Sequence, residues 1–172
     1  MPSKYGYCPQ CGSPLNNENS NRPTCTQCNF VFYQNSSPTA SAIILNDKDE
    51  VLLSKRAIEP YHGFWDCIGG FLENGEDPLA GLKREVKEEI GIEVEIIRLI
   101  DIVIDTYGKD GNYTLNIYYY VKALSQEFNP QDDISEVRWF SLESLPENLA
   151  FANNRKILEY VAGQVKSGRL IA

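Results

Sequence analysis

A chain of 172 residues, 42% hydrophobic and 23% charged, carries enough apolar material for one medium domain plus a small appendage. A formal net charge of −8 and a pI near 4.7 exclude a bulk electrostatic grip on nucleic acid or on an anionic membrane. No stretch approaches the ~18 uninterrupted apolar residues of a membrane span, and the start MPSKYGYCPQ lacks the apolar region of a signal peptide, which points to a cytoplasmic protein.

Residues 1–36 differ in kind from the rest. Cys8-Pro-Gln-Cys11-Gly12 and Cys25-Thr-Gln-Cys28-Asn29 are two CxxC pairs separated by thirteen residues, each followed by a residue that tolerates a left-handed backbone. Four thiolates at this spacing make a closed tetrahedral Zn²⁺ site, structural because no coordination position stays open. Two disulfides are the competing reading, which the doubled CxxC and the missing signal region disfavour. With Pro2, Pro9, Pro14 and Pro23 and few apolar residues, the segment depends on a metal for stability. Such a zinc ribbon extends the fold or supports a homodimer; Lys4 and Arg22 are its only cations, which argues against nucleic acid as its partner. Phe30–Tyr33 reads as its last strand and Gln34–Pro38 as the linker.

The main domain spans 37–172. Ala40–Leu45 and Val51–Arg56 read as strands around the turn 46–50, and Trp65–Ile68 as a short strand leading to Gly69-Gly70. Arg56, Phe64 and Trp65 are candidate substrate contacts, the two aromatics equally readable as core. His62, the one histidine, has no evident partner and reads as a surface residue; Cys67, the fifth cysteine, reads as inert core.

Next comes a helix with Asp77-Pro78 as cap and first turn and Gly91 as its stop. Leu79, Leu82, Val86 and Ile90 form its apolar stripe. Glu85 and Glu89 lie about 40° apart, with Glu88 about 60° to their other side. Like charges at this spacing destabilise an isolated helix. A solvated face is the bland account of such a trio. Beside the open glycine loop, however, the carboxylates supply the oxygen ligands that Mg²⁺ wants when it bridges a protein to phosphates.

Further on, Ile92–Ile104, Tyr113–Val121 and Val137–Phe140 read as strands, with a turn over 107–112. Leu142–Leu145 reads as a one-turn helix and Asn153–Val165 as a terminal amphipathic helix. Helices on a mixed sheet give an α/β sandwich.

Residues 70–92, GFLENGEDPLAGLKREVKEEIGI, resemble the signature of the Nudix hydrolases at Gly70, Glu76, Arg84, Glu85, Val86, Glu88, Glu89, Gly91 and Ile92. The resemblance implies an α/β/α sandwich and a loop-helix-loop that binds Mg²⁺ or Mn²⁺ and cleaves a diphosphate linkage. It further implies that Glu85, Glu88 and Glu89 hold the metal with help from the Gly70 carbonyl, and that Glu76 and Arg84 pair to brace the loop. Asp133 or Glu136, from the acidic stretch before the late Trp-Phe strand, would be an added base or metal ligand. A ribbon ahead of such a domain is similar to the NADH pyrophosphatases, yet residues 92–120 contain no Ser-Gln-Pro-Trp run, and the proline of many ADP-ribose pyrophosphatases is also missing. Tyr107, fifteen residues past Ile92, lies near where diadenosine polyphosphate hydrolases place a tyrosine. The expectation is hydrolysis of an ADP-containing diphosphate, NADH or ADP-ribose first, with a diadenosine polyphosphate or another nucleotide as the alternative. Two other classes stand beside it: a nucleotide-sensing module that signals through its ribbon, and an interaction protein whose ribbon docks nucleic acid or a complex.

Overall fold

Two short antiparallel strands, β1 (Leu15–Asn16) and β2 (Thr24–Cys25), organise the first of two compact units, Met1–Ser36. The computed structural model describes residues 5–16, 22–108 and 112–169; Pro2, Lys4 and the tip of the 107–112 turn lie outside them. Cys8, Leu15 and Cys25 are buried together, with Cys28 and Phe30 against them. The strand expected over Phe30–Tyr33 reduces to one isolated bridge, Val31 to Thr24. Val31 and Tyr33 are exposed there, so no buried face holds an extended ladder.

The second unit, Ser37–Ala172, contains β3 (Ser37–Ile44), β4 (Glu50–Arg56), β5 (Trp65–Asp66), β6 (Ile68–Phe71), α1 (Pro78–Ile90), β7 (Val94–Tyr107), β8 (Asn112–Ala123), β9 (Ile134–Ser141) and α2 (Ala152–Lys166). One sheet has the order β6-β3-β8-β7 and is mixed, because β3 runs parallel to β8 while the other pairs are antiparallel. A second sheet has the order β5-β4-β9. Side chains of β3 and β4 alternate between two cores. Ala40, Ala42, Ile44 and Leu52 pack with Leu82, Val86 and Ile90 of α1, whereas Ile43, Val51 and Leu53 pack with Ile157, Leu158 and Val161 of α2. This alternation is the period of two that a strand buried on both faces requires.

Helix α1 starts and stops where the sequence says. Asp77 accepts from the amides of Leu79 and Ala80, and Gly91, at φ 75°, closes the last turn. Leu79 is 40% exposed, however, so the buried stripe begins one turn later, at Leu82. The one-turn helix expected at 142–145 is only a turn, in which Ser141 Oγ takes the Glu143 amide and competes with helical bonding.

Strand β6 pairs with β3 through Ser41–Gly69 and Ala40–Gly70. Gly69 sits at φ 138°, and a Cβ there would lie 2.2 Å from the Ala40 carbonyl oxygen. Backbone cannot yield as a flexible side chain does. Gly69→Ala is therefore expected to lower unfolding stability by roughly 3 kcal/mol or more, read as a shifted urea midpoint.

Candidate active site

Strands β3 to β8, helix α1, the loop before β9 and the start of α2 converge on a cavity of about 320 Å³. Its acidic part comes from one face of α1. Glu85 lies against the Gly70 backbone so closely that a Cβ on Gly70 would be 2.6 Å from the Glu85 carboxyl carbon. Glu89 is 6% exposed, and its Oε2 accepts from the Gly69 amide at 2.9 Å. Burial pushes the Glu89 carboxyl well above the usual range, against that hydrogen bond, and the charges of Asp66, Asp133 and Glu85 push the same way. Burial also raises Glu85, although Arg84 pulls it down. Glu88 is the exposed member, with a side chain 48% accessible.

Arg84 ties these groups together. Its Nε and Nη2 donate to the two oxygens of Glu76, each at 2.8 Å, while Nη1 donates to Glu85 at 2.8 Å and Glu88 at 2.9 Å. The fork geometry suits a planar guanidinium and holds the Glu76 carboxyl down at about 2. A further bond from Nη2 to the Phe71 carbonyl fixes the end of β6 to the helix.

The loop before β9 adds another carboxylate. The Asn129 and Gln131 amides donate to the carbonyls of Ile90 and Glu89, at 3.0 and 2.9 Å, so the free carbonyl end of α1 anchors this loop. The Asp133 carbonyl is held in turn by the Ala57 amide at 2.8 Å. Asp133 lines the cavity and is near enough to raise the pKa of both Glu85 and Glu89. Glu136 is outside the lining, paired with Lys55 and Arg138.

Aromatic rings and amides complete the enclosure. Tyr107 and Phe151 are stacked at 5.4 Å, and Phe71 meets Tyr107 edge-on at 5.1 Å. Arg56 lies 5.3 Å from the centre of the Phe151 ring and is clamped by Asp66 at 2.8 Å. Phe151 occupies the cap position of α2 at φ 57°, an uncommon backbone for a bulky residue, and offers no side-chain cap. Instead the Asp105 carboxylate accepts the Asn153 amide at 3.0 Å.

Of the substrate contacts expected from sequence, Arg56 and Tyr107 line the cavity. Trp65 is buried in the second core, edge-on to Phe140, and Phe64 packs on Tyr61 outside the lining. His62 is exposed, and Cys67 is buried with its thiol pushed up by that burial. Phe71, Phe151, Asn116 and Asn153 line the cavity without having been singled out.

A profile of the NUDIX domain matches residues 35–161. The chain belongs to the Nudix family. Among curated Nudix relatives, the NAD-capped RNA hydrolase NudC of Pseudomonas aeruginosa is 31% identical over 142 residues, covering 81% of this chain and 49% of that protein. The ADP-ribose pyrophosphatase of Methanocaldococcus jannaschii is 29% identical over 132 residues, covering 77% of each. The crystal structure of a Nudix hydrolase from Nitrosomonas europaea superposes with a TM-score of 0.79 at 29% identity, covering 96% of this chain and 94% of that one. The chain spans about half the length of the NudC relatives it matches. No helix among the described residues is long and apolar enough to cross a membrane.

In the first unit, the Sγ atoms of Cys8, Cys11, Cys25 and Cys28 all lie within 4.8 Å of one another. The short pairs are Cys8–Cys28 at 3.7 Å and Cys11–Cys25 at 3.5 Å, far beyond the ~2.0 Å of a disulfide. Their protons are unequally held. The Ser13 amide draws Cys11 down to about 6, whereas at Cys28 the Phe30 amide is outweighed by desolvation and the neighbouring thiols, which raise it to about 12.

Proposed function

We propose that this chain hydrolyses the diphosphate linkage of a nucleoside diphosphate joined to a second moiety, with Mg²⁺ or Mn²⁺ bound at Glu85, Glu88 and Glu89 and at the Gly70 carbonyl. An ADP-containing compound such as NADH or ADP-ribose is the substrate class. One observation carries the reading: carboxylates from α1 and Asp133 from a separate loop converge on one cavity. The donor set is all oxygen, as a hard cation requires, and the carboxyls of Glu85 and Glu89, raised first by burial and further by neighbouring carboxylates, would be held as anions by a cation. The activities for which the NudC and ADP-ribose pyrophosphatase relatives are named support the same substrate class.

A cation held by Glu85, Glu88 and Glu89 would supply charge compensation for the diphosphate and would make water at the site more acidic. Glu88, the most accessible of the three helix glutamates, takes the proton of the attacking water, with Asp133 as the second acceptor. The new bond forms from that water's oxygen to one phosphorus. The bond from this phosphorus to the bridging oxygen breaks, and two monophosphates leave. Arg84 holds Glu76, Glu85 and Glu88 in place throughout. In the first unit, the four cysteines would hold one structural Zn²⁺. Tetrahedral Zn–S bonds of about 2.3 Å place sulfurs roughly 3.8 Å apart, close to the short pairs seen here.

The test is product release from NADH, ADP-ribose, diadenosine polyphosphates, FAD and nucleotide sugars, with Mg²⁺ or Mn²⁺. Turnover of an ADP-containing member, lowered at least ~100-fold in Glu85→Gln, is the expected result. Nucleotide binding without any turnover would overturn the reading in favour of a sensor.

A further inference from the structure

Three positive features border the cavity, and carboxylates of the protein answer each of them. Arg84 is shared among Glu76, Glu85 and Glu88, at 2.8 to 2.9 Å. Arg56 donates from Nη1 to Asp66 and from Nε to the Pro60 carbonyl, both at 2.8 Å, and its guanidinium lies over the Phe151 ring. The third feature is the N-terminus of α2, where unpaired amides and the helix dipole favour an anion. Asp105 already fills that role, accepting the Asn153 amide at 3.0 Å. Among the described residues, no lysine or histidine lines the cavity, so Arg56 and Arg84 are its only cations. Turning Arg56 toward a ligand would strand the Asp66 carboxylate, whose side chain is 14% exposed, without its counter-charge. The rest of the wall beyond the helix glutamates is hydroxyls, amides and rings, bonded chiefly to one another. Thr39 donates to Asn116 Oδ1, and Asn116 Nδ2 to Thr114. Asn154 accepts the Tyr118 hydroxyl and donates to Asp66 and to the Ala150 carbonyl, while Tyr118 accepts from Asn153.

A phosphate monoester carries a charge of about −1.5 to −2 at pH 7. Enclosing such a charge where no cation is free to meet it is strongly unfavourable. We infer that the cavity selects a diphosphate esterified at both ends whose enclosed end bears no phosphate monoester, and rejects the same compound once that end is phosphorylated. Asp66 is the positioning residue for this selectivity: by holding Arg56 it withholds the one cation of the ring-and-amide wall. The inference rests on the proposed hydrolase reading only in placing the diphosphate at Glu85, Glu88 and Glu89.

The experiment measures binding by calorimetry to the full chain with Ca²⁺, a hard cation that takes the same oxygen ligands. One pair is NADH and NADPH, which differ by a phosphate on the adenosine ribose. The other is ADP-ribose and ADP-ribose 1″-phosphate, which differ at the far end. In at least one pair the phosphorylated member should bind at least ~10-fold more weakly, and that pair names the enclosed end. Asp66→Asn frees the Arg56 charge and should bring the ratio in that pair to within ~3-fold of unity. Exclusion by size alone would leave the ratio unchanged in that variant and overturn the charge account. Should Asp66→Asn fail to fold, Asp105→Asn, which removes the anion at the start of α2, should narrow the same ratio. Equal binding by wild type within both pairs, or no binding by any member, overturns the proposal, and that comparison needs no variant. Selective binding with no turnover of any member under Mg²⁺ would instead sink the hydrolase reading and leave the selectivity standing.

Discussion

Glu89→Gln is expected to yield a more stable protein that turns over at least ~100-fold more slowly. The two effects share one cause. Glu89 is almost wholly buried, and its carboxyl ionises with more difficulty than in an unfolded chain, where such a group titrates near 4.5. The folded state therefore binds more protons than the unfolded state above that pH. Stability without added metal falls as pH rises from about 4.5 up through the raised folded value. Glutamine keeps an oxygen for the Gly69 amide while removing the buried charge. Its advantage should be small near pH 5 and grow toward pH 8. A gain in melting temperature of about 2–6 °C at pH 8 corresponds to roughly 1–2 kcal/mol of relieved desolvation. Added Mg²⁺ should stabilise wild type and narrow the gap, since a bound cation supplies what the mutation removes. Thermal melts from pH 5 to 8, run beside turnover assays, check both halves. A variant less stable than wild type at pH 8, or one that keeps its activity, would contradict the assigned role of Glu89.

The second large effect concerns the first unit. Purified protein should contain one zinc per chain, and Cys25→Ser should lose most of it, because Cys25 is wholly buried at the centre of the cluster. Structural zinc contributes on the order of 10 kcal/mol to such small units, more than their apolar core supplies. With Leu15 and Pro23 the only buried non-cysteine residues among those described there, the metal-free segment should become open to proteases ahead of Ser36. The two large cores contain no residue of that unit, so the cooperative melt of Ser37–Ala172 should persist. Elemental analysis and limited proteolysis read the two outcomes. A full zinc complement in Cys25→Ser would rule out the four-sulfur site.

The acidic half of the site was legible because its information is local. Glu85, Glu88 and Glu89 share a helix whose period fixes their neighbours, and its cap and stop are written in Asp77, Pro78 and Gly91. Even there, periodicity did not tell Glu89 from Glu88; one faces Gly69 and is buried, the other is open, and that depends on where β6 lies. The ring-and-amide half was not legible. Phe151 drew no reading, because the apolar period starts the helix at Asn153, whereas it starts at Ala152 and Phe151 holds its cap position. Asn153 read as an ordinary helix start. Its orientation is set by Tyr118, thirty-five positions earlier, and by Asn154, whose own direction is set by Ala150. No periodicity in a single chain encodes a proton count that runs through tertiary contacts. Trp65, readable from sequence as contact or core, lies in the second core: an aromatic beside a binding loop and an aromatic in the core look alike until the register of β4 and β5 is known.

The order in which the chain supplies the cavity also bears on its synthesis. Residues 69–89 place the crowded carboxylates early, whereas Phe151, Asn153 and Asn154 belong to α2, the latest of the described elements. On a ribosome, the carboxylate cluster and the strand faces destined for α2 emerge before the helix that covers those faces. Until α2 docks, Ile43, Leu53 and Tyr118 lack their partners, and the nascent chain presents an apolar sheet face on the side away from α1. Covering that face and completing the cavity are therefore one event, the docking of α2.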